Sequence, residues 1–234
     1  MMIVQAHTSF QMITHVARRL GGLREKLVFV GGAATGLFIT ESAAPEPRVT
    51  QDVDLIVEVI SHADYYLLEE TLRRIGFSPD MTDGAPICKW LVDGIVVDVM
   101  PTDAEILGFS NQWYLPAVRS AISMEIEPGL EILVATAPFF LATKIEAFHG
   151  RGGGDFMASH DIEDIVALLD GRREIVEEVR NAPEELRIYL SEQFQGFLKN
   201  VAFRESLPGH LPPDAASQAR LPLIMRRIAE ISGR

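Results

Sequence analysis

The chain has a single cysteine, Cys88, which excludes an intrachain disulfide and leaves no thiol set for a zinc knuckle. No apolar run approaches the roughly 20 residues a helix needs to cross a bilayer. The opening stretch MMIVQAHTSFQMITHVARRL breaks its apolar residues with Gln, His and Thr. Neither a signal peptide nor a membrane anchor is therefore expected, and the cytoplasm is the expected location. Positive charge is also scarce: 21 Lys and Arg stand against 33 Asp and Glu, a formal net charge of −12. Dedicated nucleic-acid binders carry a basic footprint that neutralises phosphates, so broad non-specific binding of RNA or DNA is disfavoured. A polyanion can still be held through metal ions and a local basic patch. The chain's Gly-Gly turn is not followed by Gly-Lys-Ser/Thr, so it is not a Walker A loop, and nothing resembles a nucleophile elbow.

What is present is an ordinary globular composition, 47% hydrophobic and 23% charged over 234 residues. That length suits one large domain, or a catalytic domain with a smaller helical one. Phe10, Ile13, Val16, Ala17 and Leu20 recur at helical spacing, and Gly21-Gly22 closes the helix. Residues 27–30 read as a buried strand entering a Gly31-Gly32 turn, 33–39 as a short helix, and the proline-containing 41–48 as a surface loop. A strand over 53–60 carries Asp52 and Asp54 at its start, and an amphipathic helix covers 63–75. In ICKWLV-DG-IVVDVMP (87–101), Asp93-Gly94 between β-rich runs predicts a hairpin that sets Lys89 opposite Asp98. Weaker strands follow around 121–127 and 130–134, joined at Pro128-Gly129. Helical patterns then occupy about 138–149, 160–170, 173–180, 184–199 and 221–232, and 207–218 is the only linker-like stretch. Strands first and helices after predict an α+β fold, with a core over residues 1–135 and a helical region over 136–234.

The chemistry concentrates in acids set into apolar strands. Side chains two apart on a strand share a face, so Asp52 and Asp54 project together. Two carboxylates that close repel unless solvated or neutralised by a cation. Asp98 has the same setting in Ile95-Val96-Val97-Asp98-Val99-Met100. Three hard oxygen donors, completed by phosphate oxygens, suit Mg²⁺, with Mn²⁺ as an alternative. The plain alternative makes Asp52 a turn residue, Asp54 a solvated strand end, and Asp98 a partner for Lys89.

Taken in order, a Gly-Gly turn, an Asp-x-Asp strand and a third strand acid resemble the polymerase-β-like nucleotidyltransferase superfamily. Within it the chain looks most like the AbiEii-type toxin nucleotidyltransferases. The likeness is carried by VGGAATGLF (30–38), RVTQDVDLIV (48–57), VVDVMP (96–101) and LATKIEAFHGRG…SHDIEDIVALLDGR (141–172). It implies a nucleotidyltransferase core of mixed sheet and flanking helices, followed by a helical C-terminal region contributing Lys144 and Asp161 to the cleft. The implied reaction moves a nucleoside monophosphate from an NTP to an RNA end or a protein hydroxyl, with a cognate antitoxin as a further partner. Asp52, Asp54 and Asp98 would be metal ligands, with Gly31, Gly32 and Lys144 on the phosphates and Arg48 and Thr50 beside the nucleotide. The loop between Gly32 and Asp52 is longer than the family pattern. A non-catalytic nucleotide-binding protein and a metal-dependent phosphoesterase are the rival readings.

A helical wheel over 139–148 puts Lys144 between Phe140 and Phe148, an apolar setting that an unpaired ammonium would not tolerate. Snorkelling along its stem and a phosphate-facing role both account for it. On 160–169 the wheel places Ile162, Ile165, Val166 and Leu169 on one face, Asp161 at its border, and Glu163 and Asp164 further toward solvent. Ser159 is the expected N-cap. The resemblance implies a functional aspartate here, to orient Lys144 or to act as a base, and the wheel favours Asp161 over Asp164. Arg151-Gly152-Gly153-Gly154 reads as a loop between these helices, and His149 and His160 as surface histidines without a partner for zinc.

Overall fold

The computed structural model describes residues 8–59, 61–108, 111–151 and 154–233. The expectations for residues 1–7, for Ile60 as a strand end and for Gly152-Gly153 as loop therefore lie outside the described residues. By their internal contacts the residues form two units, Met1–Gly36 with Val49–Thr136, and Leu37–Arg48 with Ala137–Arg234.

The first unit is built on a mixed seven-stranded sheet. Its elements are α1 (Ser9–Leu20), β1 (Val28–Val30), α2 (Gly31–Ala34), β2 (Asp52–Val57), α3 (His62–Arg74), β3 (Ser78–Pro79), β4 (Lys89–Val92), β5 (Ile95–Pro101), α4 (Ala104–Leu107), α5 (Tyr114–Arg119), β6 (Ile122–Glu127) and β7 (Leu130–Val134). The strand order is β3-β4-β5-β2-β1-β7-β6. β2 runs parallel to β5 and β1 parallel to β7, and the other neighbours are antiparallel. Helix α1 begins in a capping box: Gln11 N donates to the Thr8 hydroxyl and Thr8 N donates to the Gln11 side chain. Its buried face, Ile13, Val16 and Leu20, joins Phe29, Leu55, Trp90 and Val97 in the core.

The Asp93-Gly94 hairpin has the register its two-residue loop dictates, with Val92 opposite Ile95 and Lys89 opposite Asp98. Both loop residues have positive φ, 48° and 84°, as a type I′ turn requires. The short helix after β1 starts at Gly31 itself rather than at residue 33, and continues as a 3-10 turn over Thr35–Phe38. Strand β3 and helices α4 and α5 had no counterpart in the sequence pattern, being too short to show a period.

The second unit is helical: α6 (Ala137–Arg151), α7 (His160–Gly171), α8 (Ile175–Arg180), α9 (Glu184–Lys199), α10 (Val201–Ser206), α11 (Ala215–Gln218) and α12 (Leu221–Ile231). Residues 207–218 are not a linker. They form a 3-10 turn (Leu207–His210) and α11, with Leu207 and Leu211 buried, because these apolar side chains have a core to enter. Phe148, Phe156, Phe197 and Phe203 make one aromatic cluster with centroid separations of 4.8–6.1 Å. The segment Leu37–Arg48 is fastened at both ends: Thr40 and Glu41 donate their N–H groups to the Gly171 carbonyl, and Arg48 grips Asp164. No described helix is long and apolar enough to cross a membrane.

Candidate functional site

On β2 the burial alternates, with Asp52 and Asp54 half-buried and Val53 and Leu55 fully buried. β5 alternates in phase, with Val97 and Val99 buried and Asp98 half-buried. The parallel register sets Asp54 directly opposite Asp98 and Asp52 opposite Val96. Paired residues share a face, so the three acids lie on one half-exposed face of the sheet. Like charges side by side across paired strands cost about 0.5 kcal/mol, and apolar surroundings raise that cost. Lys89 lies opposite Asp98 on the other side, within the same face. The negative potential also reaches Cys88: burial, then Asp98 and Asp54, push its thiol up to about 11.

Gly31 explains itself at this face. Its φ is +70°, a left-handed conformation that side chains rarely take, and an added Cβ would land on the Asp54 carboxylate. The glycine therefore cedes the space that Asp54 occupies. Gly32 is buried in the same turn. Thr50 is buried ahead of the strand, where its hydroxyl donates to the Asp52 carbonyl at 3.2 Å and lies 3.4 Å from the Ser9 hydroxyl. It fixes the entry of β2 and so the start of the acid pair.

Hard carboxylate oxygens on a partly solvated face match a divalent cation of the Mg²⁺ type in kind. In placement, Asp54 and Asp98 stand in register, with Asp52 two residues along the same strand. Among the described residues, no three His, Cys, Asp or Glu side chains are grouped so that they could hold a metal ion.

In the second unit the charged residues form their own cluster. Lys144 Nζ lies 3.1 Å from Asp161 Oδ1 and 2.7 Å from Asp164 Oδ2, and 5.9 Å from the Phe140 ring centroid. Arg48 makes a two-pronged contact with Asp164 at 3.0 and 3.1 Å, and Arg151 a second with Asp161 at 3.2 and 3.1 Å. Burial pushes the Asp161 carboxyl up, yet Lys144 and Arg151 outweigh it and hold the group below the ordinary aspartate value.

The expectation that Asp164 points toward solvent is wrong: it is 0% exposed, against 5% for Asp161. On the side of α7 that carries Asp164, α6 and Arg48 cover the helix, while Glu163 beside it stays part-exposed. The signal was available in the i, i+3 spacing of Asp161 and Asp164, which places both on the side of α7 that meets one lysine. Ser159 caps α7 as expected, its hydroxyl accepting from Ile162 N. His149 contacts Gln193 and His160 contacts Glu163, both at exposed positions.

No family model matches the chain, and no curated protein matches it. A solved structure described as an antigenic nucleotidyltransferase-like protein from Paracoccidioides brasiliensis aligns with it at 21% identity and a TM-score of 0.48, over 86% of this chain and 92% of that one. The functional reading is therefore built on this chain's own residues.

Proposed function

We propose that this chain is a metal-dependent nucleotidyltransferase that moves a nucleoside monophosphate from an NTP to a macromolecular hydroxyl. One observation carries the reading. An otherwise apolar sheet holds Asp54 against Asp98 in register, with Asp52 on the same half-exposed face. A fold keeps mutually repelling carboxylates on such a face when a bound cation or a reacting group repays the cost. Asp52, Asp54 and Asp98 would hold Mg²⁺, or Mn²⁺, which when bound neutralises charge at the α-phosphate and the leaving pyrophosphate. Asp98 would also take the proton of the acceptor hydroxyl, and Gly31 would keep Asp54 in place.

The test is incubation of the full chain with each α-labelled NTP, Mg²⁺, and total RNA or protein. A labelled macromolecule and released pyrophosphate, both lost in Asp54→Ala, are the expected result. Release of phosphate in place of pyrophosphate would identify a phosphoesterase instead. A second reading, a nucleotide-binding protein without catalysis, is favoured by one fact: among the described residues no three such side chains are grouped so that they could hold a metal ion. NTP binding without turnover under any divalent ion would establish it.

The finer reading is a toxin restrained by a cognate antitoxin, acting in the cytoplasm, and it rests on the four sequence segments alone. Growth arrest on expression of the wild type, and none with Asp54→Ala, is its expected outcome.

A further inference from the structure

Charge within the first unit separates the two acceptor classes. Between Met1–Gly36 and Val49–Thr136 the sequence places sixteen Asp and Glu against eight Lys and Arg. Most of those eight bases are already committed. Arg18 pairs with Glu127, Arg19 with Asp93, Arg73 with Glu69 and Arg119 with Glu58. Arg24 donates to the carbonyls of Glu131 and Gly21, and Lys89 lies opposite Asp98. Among the described residues, Lys26, Arg74 and Lys89 are what remains for an incoming phosphate chain, and Lys89 faces Asp98. A polynucleotide acceptor brings one negative charge per nucleotide and is held by bases that displace its counterions. This unit offers few of them against an excess of acids.

The surface beside the acids has a different character. Residues 80–88 lead directly into Lys89, the neighbour of Asp98. They are tied to the strands by Asp80 N donating to the Lys89 carbonyl at 2.9 Å and Val99 N donating to the Cys88 carbonyl at 2.8 Å. Within this loop Met81 is 84% exposed and Ile87 57% exposed, and Asp83 is exposed between them. Exposed apolar side chains interspersed with acid suit a basic protein segment and repel a nucleic acid.

Resting on the nucleotidyltransferase reading above, we infer that the acceptor is a protein hydroxyl flanked by basic residues, docked on the 80–88 loop, and not a polynucleotide. In the transfer the acceptor's Ser, Thr or Tyr oxygen bonds to the α-phosphorus. The bond from that phosphorus to the bridging oxygen breaks, pyrophosphate leaves with the electron pair, and the hydroxyl proton passes to a carboxylate of the site.

The test uses the full chain, α-labelled NTPs and Mg²⁺ with three defined acceptors. These are synthetic peptides with one Ser, Thr or Tyr flanked by Lys and Arg, the same peptides flanked by Asp and Glu, and total RNA. The basic peptides should be labelled about tenfold faster than the acidic ones, with the advantage shrinking as salt rises. Met81→Lys and Asp83→Lys, at exposed loop positions, should raise KM for the basic peptides and leave kcat unchanged. Labelling of RNA but not of peptides overturns the acceptor assignment and leaves the nucleotidyltransferase reading intact. Equal labelling of basic and acidic peptides overturns the docking argument. Absence of pyrophosphate release with every NTP and acceptor is a distinct result that removes the underlying reading as well.

Discussion

Lys144 Nζ lies 2.7 Å from a carboxylate oxygen of Asp164, and Asp164 has no solvent exposure. The ammonium, together with Arg48, is the counter-charge that makes a fully buried acid tolerable, and it serves Asp161 at 3.1 Å as well. Removing the ammonium leaves Asp164 with Arg48 and Asp161 with Arg151, so each buried acid loses one of two charged partners. Lys144→Met should lower the unfolding free energy by about 2–3 kcal/mol. Arg48→Ala, which leaves Asp164 with its lysine, should cost about 1–2 kcal/mol. Urea unfolding of the three chains measures both. A loss under about 1 kcal/mol for Lys144→Met would place the pair among solvated surface bridges.

The same cluster sets an acid limit. Asp161 is pushed up by burial but pulled further down by Lys144 and Arg151, so its folded-state value lies below the ordinary 3.8. A group depressed on folding contributes stability that is present above its unfolded value and lost as pH falls through the folded one. Asp161 thus supports the fold at neutral pH, and that support drains away below about pH 4. Urea midpoints between pH 6 and pH 3 should fall more steeply for the wild type than for Asp161→Asn. Parallel curves would show that the carboxyl titrates alike in both states.

Much of this fold was legible because its signals are local. Asp93-Gly94 between two β-rich runs fixes the hairpin register, and that register alone places Lys89 opposite Asp98. The alternation of acid and aliphatic residues on β2 and β5 likewise declares which face Asp52, Asp54 and Asp98 share. The parallel pairing of β2 with β5, which turns two separate acids into neighbours, is non-local and leaves no trace in either strand. Asp164 was misplaced for a related reason. A wheel knows the apolar residues of one helix, but not that α6 and Arg48 supply charges to what looks like its polar side. The glycine at 31 read as a turn residue, and its close approach to Asp54 appears only once β1 and β2 are paired.

Cys88 gives a reactivity prediction. The thiol is buried immediately before β4, and burial together with Asp98 and Asp54 raises it to about 11. Thiolate is the nucleophile, so at pH 8 both access and ionisation oppose reaction. Ellman's reagent should modify the native chain about 100-fold more slowly than the urea-unfolded chain. Equal rates would mean that the 80–88 loop opens freely and exposes the strand start.

Gly31→Ala provides the sharpest separation of site from scaffold. At φ +70° an alanine costs about 1–2 kcal/mol from backbone strain alone. Its Cβ would in addition occupy the position of the Asp54 carboxylate, which must swing away or push β1 from β2. Gly36→Ala is the control, since an added Cβ there meets nothing within 4 Å. The variant at position 31 should lose NTP turnover as fully as Asp54→Ala does, while still unfolding cooperatively at a lower urea midpoint. Gly36→Ala should keep its turnover. If Gly31→Ala turned over NTP at the wild-type rate, Asp54 would not need its observed position, and the pairing of Asp54 with Asp98 would no longer carry the proposed chemistry.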